Sequence, residues 1–149
     1  MASNKLPAAV LNKILKGGNA QIWFNGLEIM TAQKFELKMS GNVETIEVIG
    51  SMSDYSLYNG WSGSGTLERL KTDSSIVKLI VDAFMSGVTP ECEMVVLVDN
   101  PSTGQRERCR IGTITFTEAT IMTLDKRATI NESIPFNFSD FEFLETIAA

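Results

Sequence analysis

Histidine is absent from this chain of 149 residues, and that absence excludes more chemistry than any other feature of the sequence. Histidine is the commonest general base and a frequent metal ligand, so catalytic arrangements of the Ser–His–Asp and Cys–His types are not available. Cysteine is also scarce, since Cys92 and Cys109 form no CxxC pair and have no histidine to complete a zinc site. We expect two reduced, packed thiols, and neither a metal nor a cofactor.

Basic residues are outnumbered by acidic ones, and long apolar runs are missing. The 13 Lys and Arg residues are outnumbered by 18 Asp and Glu residues, which gives a net charge of -5. Such a chain has too few cations to hold nucleic-acid phosphates without regard to sequence. No stretch approaches the ~20 apolar residues of a membrane-spanning helix, and the run at residues 6–11 is short for a signal peptide. We expect a chain without a membrane anchor that is not exported.

Apolar periodicity predicts a mainly β chain. Asn25-Gly26, between two short apolar runs, is the strongest local signal for a β-hairpin, and Phe35, Leu37 and Met39 alternate with charged residues as in a half-buried strand. Gly41-Asn42 predicts a turn into the next strand. Further strands are expected at residues 43–49, 66–71, 91–99, 105–116, 118–124 and 130–138. The sum is seven or eight strands in an antiparallel β-barrel or sandwich.

One amphipathic helix is predicted over residues 73–86. Asp73 or Thr72 can cap its start, and Gly87 follows its end, where a left-handed residue belongs. Its main apolar stripe consists of Ile76, Leu79, Ile80, Ala83 and Phe84. A second stripe consists of Val77, Val81 and Met85. The helix is therefore either wedged between sheets or covered on its second side by a neighbour.

Residues 43–65 are predicted to form an extended loop or a flexible hairpin. The part from residue 50 onward is rich in Gly and Ser and contains Tyr55, Tyr58 and Trp61, with Asp54 as its only charge. Tyr and Trp are enriched at interface hot spots, so the segment either joins another subunit or folds back on its own domain. The run Gly60–Gly65 is similar to a phosphate-binding loop, but it lacks the Lys-Ser/Thr ending and precedes a strand instead of a helix.

Two charged groups are candidates for chemistry or binding. Asp140 and Glu142 lie two apart on one strand face and could serve hydrolysis as paired carboxylates, although a solvated surface is the commoner arrangement. Arg106, Arg108 and Arg110 share one strand face and could bind a polyanion. Pairing of these arginines with acids on the adjacent strand or subunit is the better interpretation in a chain with excess acid.

The strand that carries the arginines also carries one cysteine. If residue 99 pairs with residue 105, Cys109 lies opposite Val95 and on the other face from Cys92. A shift of one residue would return both thiols to one face.

The order and spacing of several segments resemble the tail tube proteins of contractile phage tails and of related prophage or bacteriocin particles. The segments are Trp23–Glu28, Gly63–Thr66, the helix over Ser75–Met85 and the ending Ile134–Phe143. The resemblance covers about residues 18–145. It implies a β-barrel or sandwich flanked by one helix, with an N-terminal arm over residues 1–19 and a single domain over residues 20–149.

The resemblance also implies a structural function without catalysis. Six copies would join their sheets edge to edge in a ring, and rings would stack into the inner tube of a phage tail or tail-like particle assembled in the bacterial host cytoplasm. The partners implied are further copies of the chain, the tail sheath protein, the tape-measure protein, and the baseplate and tail terminator proteins. DNA or ions would pass through the tube without specific binding.

The resemblance assigns roles to named residues. Residues 43–65 would reach the next ring through Tyr55, Tyr58 and Trp61, and the stripe of Val77, Val81 and Met85 would face a neighbouring subunit. DNA passage favours a wall that does not hold phosphate. We therefore expect Glu36, Glu44, Glu47 and Glu118 to supply an excess of acid at the lumen.

Two other functions remain open at the level of sequence. The first is a monomeric β-barrel that binds a small apolar ligand in a buried pocket lined by Met and Phe residues. The second is a hydrolase that uses Asp140 and Glu142.

Overall fold

The computed structural model describes residues 6–149 and shows a mainly β chain, as predicted. Seven strands are hydrogen-bonded in one antiparallel sheet in the order β2-β1-β5-β6-β7-β4-β3. The start of the expected N-terminal arm, residues 1–5, lies outside the described residues. The strands are β1 (Ala20–Phe24), β2 (Leu27–Glu28), β3 (Ala32–Ile46), β4 (Tyr55–Leu70), β5 (Glu93–Asn100), β6 (Gln105–Phe116) and β7 (Asn131–Glu145). The helices are α1 (Ala8–Leu11) and α2 (Ser75–Ser86), and a 3-10 turn covers Gly17–Asn19.

The chain divides into two compact units, and the first contains the described residues up to Met30, Cys92–Gly112 and Asp140–Ala149. Its β1–β2 hairpin confirms the prediction from Asn25-Gly26. These two residues have φ angles of 50° and 83°, and a type I′ turn requires positive φ at both central positions. Within the arm, the Asn12 carbonyl accepts a hydrogen bond of 2.7 Å from Asn100 Nδ2.

The β5–β6 hairpin of the first unit shows the alternative register. Asn100 pairs with Gln105, so Cys109 lies opposite Val96, one residue from the pairing with Val95 that was expected first. The turn explains the shift, because the amides of Thr103 and Gly104 both donate to the Asn100 carbonyl and make Asn100 the closing residue. No disulfide joins Cys92 and Cys109. Burial raises the pKa of the Cys92 thiol and of the Cys109 thiol.

The second unit contains Thr31–Glu91 and Thr113–Ser139 and is built on β3, β4 and β7. β4 pairs with β3 on one side and with β7 on the other. The core face is formed by odd-numbered residues of β3, by odd-numbered residues of β4 from Trp61 onward and by even-numbered residues of β7. Leu67, Ile134 and Phe136 are buried there. The ring of Phe136 lies 6.2 Å from the ring of Phe35 and 6.5 Å from that of Phe116, measured between centroids.

Glycines in β4 make room for these aromatic rings. A Cβ atom built on Gly63 would lie 2.4 Å from the Phe138 ring. At Gly65 it would lie 2.6 Å from the Glu36 carbonyl oxygen and 2.7 Å from the Phe136 ring. The rings therefore occupy the space that side chains at positions 63 and 65 would take.

Helix α2 begins two residues later than predicted, at Ser75, and ends at the predicted residue, Ser86. Asp73 Oδ1 accepts hydrogen bonds from the Ser75 amide at 3.1 Å and from Ser75 Oγ at 2.7 Å. Gly87 has a φ of 71° and donates its amide to the Ala83 carbonyl, which closes the helix. The residues of α2 that are buried are Ile76, Val77 and Ile80.

The turn predicted at Gly41-Asn42 is wrong. β3 continues through this position to Ile46, because β4 runs beside it for the same length. Gly41 pairs with Trp61, and the next pair in the ladder is Val43 with Tyr58. Two residues of β4, Asn59 and Gly60, therefore lie opposite the single residue Asn42 of β3, which is a β-bulge. Gly60 has a φ of 89°, and glycine inside a strand marks such a bulge as readily as a turn.

The strand predicted at residues 118–124 is also wrong. β6 ends at Phe116, and the segment that follows is irregular, with Ile121, Met122 and Leu124 exposed. It is attached by isolated hydrogen bonds, such as the one of 2.9 Å from Lys71 Nζ to the Ile121 carbonyl. A strand needs a continuous ladder of partners as well as a suitable pattern, and the sheet supplies none to this segment.

Candidate assembly surface

The most exposed apolar surface of the second unit is the far end of the β3–β4 hairpin, residues 43–58, here called the distal hairpin. Every residue in it is exposed except the half-buried Ser51. Tyr58 is 82% exposed, and Ile49 and Met52 at the turn are fully exposed. An isolated two-stranded hairpin is marginally stable in water, and apolar patches of this kind mark interaction sites. The distal hairpin is therefore the first candidate for assembly.

The register of the distal hairpin assigns its residues to two faces. Val43 pairs with Tyr58 on the extension of the core face, where the Tyr58 ring lies over Gly41. Ile46 pairs with Tyr55 on the opposite face. Apolar residues on both faces mean that neither face is reserved for solvent.

The turn of the distal hairpin, residues 47–54, is held by its own serines. The Ser51 amide donates to the Val48 carbonyl, the Ser53 amide donates to Ser51 Oγ, and Ser51 Oγ donates to the Tyr55 hydroxyl at 3.3 Å. Gly50 has a φ of 88°. The segment that the sequence left open between loop and hairpin is thus a paired hairpin with an ordered turn.

Trp61 lies where the distal hairpin joins the core. Its ring centroid is 6.0 Å from that of Phe138, and the residue is still 41% exposed. An aromatic side chain that is half anchored and half exposed is typical of an interface hot spot, because its position is already ordered before a partner arrives.

The outer edge of β3 is the second candidate surface. β3 is the last strand in the sheet order and pairs with β4 on one side, and no strand among residues 6–149 pairs with its other side. It is 15 residues long, whereas β2 at the other end of the order has two residues. A long open edge presents unpaired N–H and C=O groups that can extend a ladder into another chain.

The three residues of the predicted second stripe of α2 differ in their exposure to solvent. Val77 is 6% exposed and belongs to the core of its own unit, Val81 is half-buried, and Met85 is 85% exposed. Phe84, assigned by periodicity to the core stripe, is 51% exposed. The exposed apolar surface of α2 is therefore its C-terminal end, around Phe84 and Met85. Periodicity alone does not distinguish these exposed residues from the buried residues of the preceding turns.

The four acids expected at a lumen are not brought together. Glu36 and Glu44 share the face of β3 opposite the core, whereas Glu47 lies in the hairpin turn and Glu118 follows β6. Glu36 Oε1 lies 2.8 Å from Lys38 Nζ. The hydrogen bond from Lys38 lowers the pKa of Glu36, and the same pairing raises the pKa of Lys38.

Two of the three arginines in the β6 row pair with acids of the first unit, as predicted. Arg110 Nη1 lies 3.0 Å from Asp140 Oδ2 and its Nε lies 3.3 Å from Glu93 Oε2, while Arg106 Nε lies 3.8 Å from Glu145 Oε2. The hydrogen bond to Asp140 raises the pKa of Arg110. Asp140 is thus held in an ion pair with Arg110.

The other candidate sites have no catalytic geometry. Gly60–Gly65 is part of strand β4 and forms no phosphate loop. A cleft of about 650 Å³ beside it, lined by Ser40, Trp61, Asn137 and Phe138, is open to solvent and differs from the buried pocket of a ligand-binding barrel. Within residues 6–149, no three His, Cys, Asp or Glu side chains are grouped to hold a metal ion. The helices among these residues are all too short or too polar to cross a membrane.

Comparison with known proteins identifies the family. The family described as phage tail tube protein matches residues 9–145 of the chain. The chain belongs to the phage tail tube protein family. This confirms the resemblance noted in the sequence, and the mainly β fold agrees with it. As a member of this family, the protein is a structural tail tube protein of phages and phage-tail-like particles.

The named relatives of this tail tube protein come from phage-like elements and tails. It is 26% identical over 136 residues to the phage-like element PBSX protein XkdM of Bacillus subtilis (strain 168), covering 90% of this chain and 92% of that protein. Its fold is similar to a chain in the cryo-EM structure of the PVC sheath-tube complex of an extracellular contractile injection system in the extended state. There the TM-score is 0.71 at 7% identity, over 93% of this chain and 98% of that chain.

A second solved structure has the same fold. The SPP1 tail tube, determined as a hybrid structure by solid-state NMR and cryo-EM, matches with a TM-score of 0.64 at 11% identity. The match covers 91% of this tail tube protein and 81% of the SPP1 chain.

Proposed function

We propose that six copies of this tail tube protein form a ring and that rings stack into the inner tube of a contractile phage tail or tail-like particle. The observation that carries the proposal is the distal hairpin, an ordered apolar element that its own unit leaves exposed on both faces. In a monomer this surface would be an aggregation hazard. In a stack it is the contact between one ring and the next, with Tyr55, Tyr58 and Trp61 as anchors.

Ring closure uses the open edge of β3. An edge of 15 residues can continue the sheet into a neighbouring copy by backbone hydrogen bonds. A head-to-tail contact of this kind closes into a ring when its rotation divides a full turn. The exposed end of α2 at Phe84 and Met85 adds apolar contact to a neighbouring subunit.

The stacked rings form a conduit for DNA or ions. The face of β3, β4 and β7 opposite the core is rich in Ser, Thr and Asn, and its charged residues are Lys34, Glu36, Lys38, Glu44 and Glu68. Three acids against two lysines give this face a slight excess of negative charge, so a polyanion is not retained on it. In this proposal that face, with Glu36 and Glu44, lines the lumen, and no step is catalytic.

The assembled tube meets other tail proteins. Structures with the same fold come from a sheath-tube complex, a sheath/tube terminator and a prophage baseplate. These likenesses support contacts of this chain with a sheath protein, a terminator and a baseplate, and a tape-measure protein occupies the lumen during assembly. The particle is built in the host cytoplasm and carries the protein in its tail.

Electron microscopy of the purified chain tests the proposal. We expect sixfold rings, and tubes after concentration, in negatively stained fields. A variant without residues 43–58, in which Asn42, Asn59 and Gly60 form the turn, should keep a folded subunit and lose the tubes. A chain that stays monomeric in sedimentation at every concentration and salt would contradict the proposal.

A further inference from the structure

Arg108 differs from the two arginines beside it on β6. Arg106 and Arg110 each pair with a carboxylate, whereas Arg108 has no hydrogen-bond or ion-pair partner among residues 6–149. The Nε atom of Arg108 is also shut off from solvent, so water does not satisfy it. A buried donor without a partner is destabilising, and such a group in a folded chain requires an explanation.

The guanidinium of Arg108 lines a cleft of about 260 Å³ in the first unit. The other lining residues are Trp23, Gly26, Glu93 and Val95, and most of the wall is apolar. Glu93 lies 3.3 Å from Arg110, whose guanidinium also pairs with Asp140 and is therefore shared between two carboxylates. The cleft therefore combines a cation that has no ion-pair partner among residues 6–149 with a mostly apolar wall.

A carboxylate is the group that this cleft fits. A guanidinium binds a carboxylate through parallel charged hydrogen bonds, and these are strongest where water is excluded. The chain itself supplies such groups in excess, with 18 Asp and Glu residues against 13 Lys and Arg residues. Leu27, which follows the lining residue Gly26 in the chain, is 76% exposed and offers apolar contact to an approaching surface.

We propose that the cleft formed by Trp23, Val95 and Arg108 binds an acidic side chain of a second copy of this chain. This inference rests on the proposed self-assembly and adds a polar contact to it, away from the distal hairpin. The pair forms only on association, because the isolated subunit provides no carboxylate to Arg108. Association then gives the guanidinium of Arg108 a charged partner that the isolated subunit does not supply.

The variant Arg108→Met separates assembly from folding. It keeps an apolar stem of similar length and removes the unpaired donor, so the dissociated subunit should unfold at the same temperature or a higher one. The critical concentration for assembly, measured by sedimentation, should rise at least tenfold, which corresponds to about 1.4 kcal/mol. Arg106→Met is the matched control, because Arg106 is exposed and already paired with Glu145, and it should change the critical concentration less than twofold.

Either of two results would overturn the inference. One is assembly of Arg108→Met at the wild-type critical concentration. The other is a loss of subunit stability large enough to explain the weaker assembly, since Arg108 would then serve its own fold only.

Zero-length cross-linking identifies the occupant. In the variant Arg108→Lys, a carbodiimide joins the new ammonium group to a carboxylate that contacts it. Subunits labelled with nitrogen-15 and unlabelled subunits are mixed before the reaction. We expect a cross-linked peptide pair of mixed mass that contains position 108 and one Asp or Glu; cross-links only within one copy, or none at position 108, would refute a second copy as the occupant.

This design keeps the two proposals distinct. If the wild-type chain forms no rings or tubes, the proposed function fails, and the cross-linking still shows whether position 108 meets a carboxylate of a second copy in any associated species that forms. If the wild-type chain assembles and Arg108→Met assembles equally well, only the assignment of Arg108 fails.

Discussion

The buried ion pair between Arg69 and Glu132 should dominate the stability of the second unit. The two residues are register partners on β4 and β7 and are 4% and 1% exposed. Arg69 Nε lies 2.6 Å from Glu132 Oε2. The guanidinium also contacts Asp73 Oδ1 at 3.2 Å, next to the start of α2, and Lys71 Nζ lies 3.9 Å from Glu132 Oε1.

The variant Glu132→Gln leaves the guanidinium buried with one charged partner, the more exposed Asp73. Removing one member of a buried pair costs about 3–5 kcal/mol. We expect the lower end, about 3 kcal/mol, because Asp73 remains and glutamine still accepts a hydrogen bond. In a chain of this length each kcal/mol shifts the unfolding temperature by roughly 2–4 °C, so the loss should be about 6–12 °C.

Removal of both charges should be far milder than removal of one. Replacing a buried ion pair by apolar residues of similar volume is often neutral, so Arg69→Met combined with Glu132→Leu should lie within about 1 kcal/mol of the wild type. The difference between the double variant and the sum of the single variants measures the coupling. Lys71→Met is a suitable control, since its ammonium lies beyond hydrogen-bond distance of Glu132.

Thermal and urea denaturation of dissociated subunits, both followed by tryptophan fluorescence, provide the unfolding temperature and the free energy of unfolding. The protein must be kept below the concentration at which it associates, because assembly stabilises the folded chain by mass action. An unfolding temperature for Glu132→Gln within about 1 °C of the wild type would refute the reasoning, as would strictly additive single losses.

Three further predictions follow from local geometry. Gly63→Ala should destabilise the subunit by about 1–3 kcal/mol in urea melts, because the new Cβ meets the Phe138 ring. Gly17→Ala is the control, because a Cβ atom added there meets no other atom. Equal losses of stability in the two variants would contradict the prediction. Hydrogen bonds from Ser75, followed by the one from Arg69, hold the pKa of Asp73 below its usual value, so its stabilisation is present above about pH 4 and disappears as the pH falls further. Asp73→Ala should therefore cost about 1 kcal/mol at pH 7 and approach the wild type near pH 2 in pH-dependent melts, and a constant difference would count against it. Tyr58→Ser should raise the critical concentration for tube formation at least fivefold with little change in subunit stability. Thr45→Ser, on the same face of the hairpin, is the control and should change neither quantity. Tube formation by Tyr58→Ser at the wild-type critical concentration would exclude Tyr58 as an anchor.

Much of the candidate surface was recognisable from composition and order alone. Tyr55, Tyr58 and Trp61 stood out because Tyr and Trp are enriched at interface hot spots, while the sequence left open that the segment folds back on its own domain. The structure exposes all three. Val77 was not distinguishable from Met85, since both fall on one helical stripe, and only the packing of the first turns of α2 buries one and leaves the other exposed.

The unpaired state of Arg108 had no sequence signal. Arg106, Arg108 and Arg110 are equivalent by pattern, and acids are plentiful in the chain. Which arginine meets a carboxylate depends on where β5 and the end of β7 place Glu93, Asp140 and Glu145. That placement is set by strand pairing over long sequence separations.

Features that depend on a few neighbouring residues were determined by the sequence. The type I′ turn at Asn25-Gly26 and the end of α2 at Gly87 require positive φ, which those residue types adopt at little cost. The alternation at Phe35 and Leu37 likewise needs no knowledge of the partner strand. The family could also be recognised from the sequence, because the resemblance depends on the order and spacing of such local features.

Features that need a partner were determined by the tertiary structure. Gly41-Asn42 continues a strand because β4 lies beside it, and residues 118–124 form none because no edge is offered to them. Arg69 and Glu132 are ordinary surface residue types that become a buried pair through the β4–β7 register. The physical reason is the same in each case: backbone dihedral preference is local, whereas hydrogen-bond partners and burial are set by residues far away in the chain.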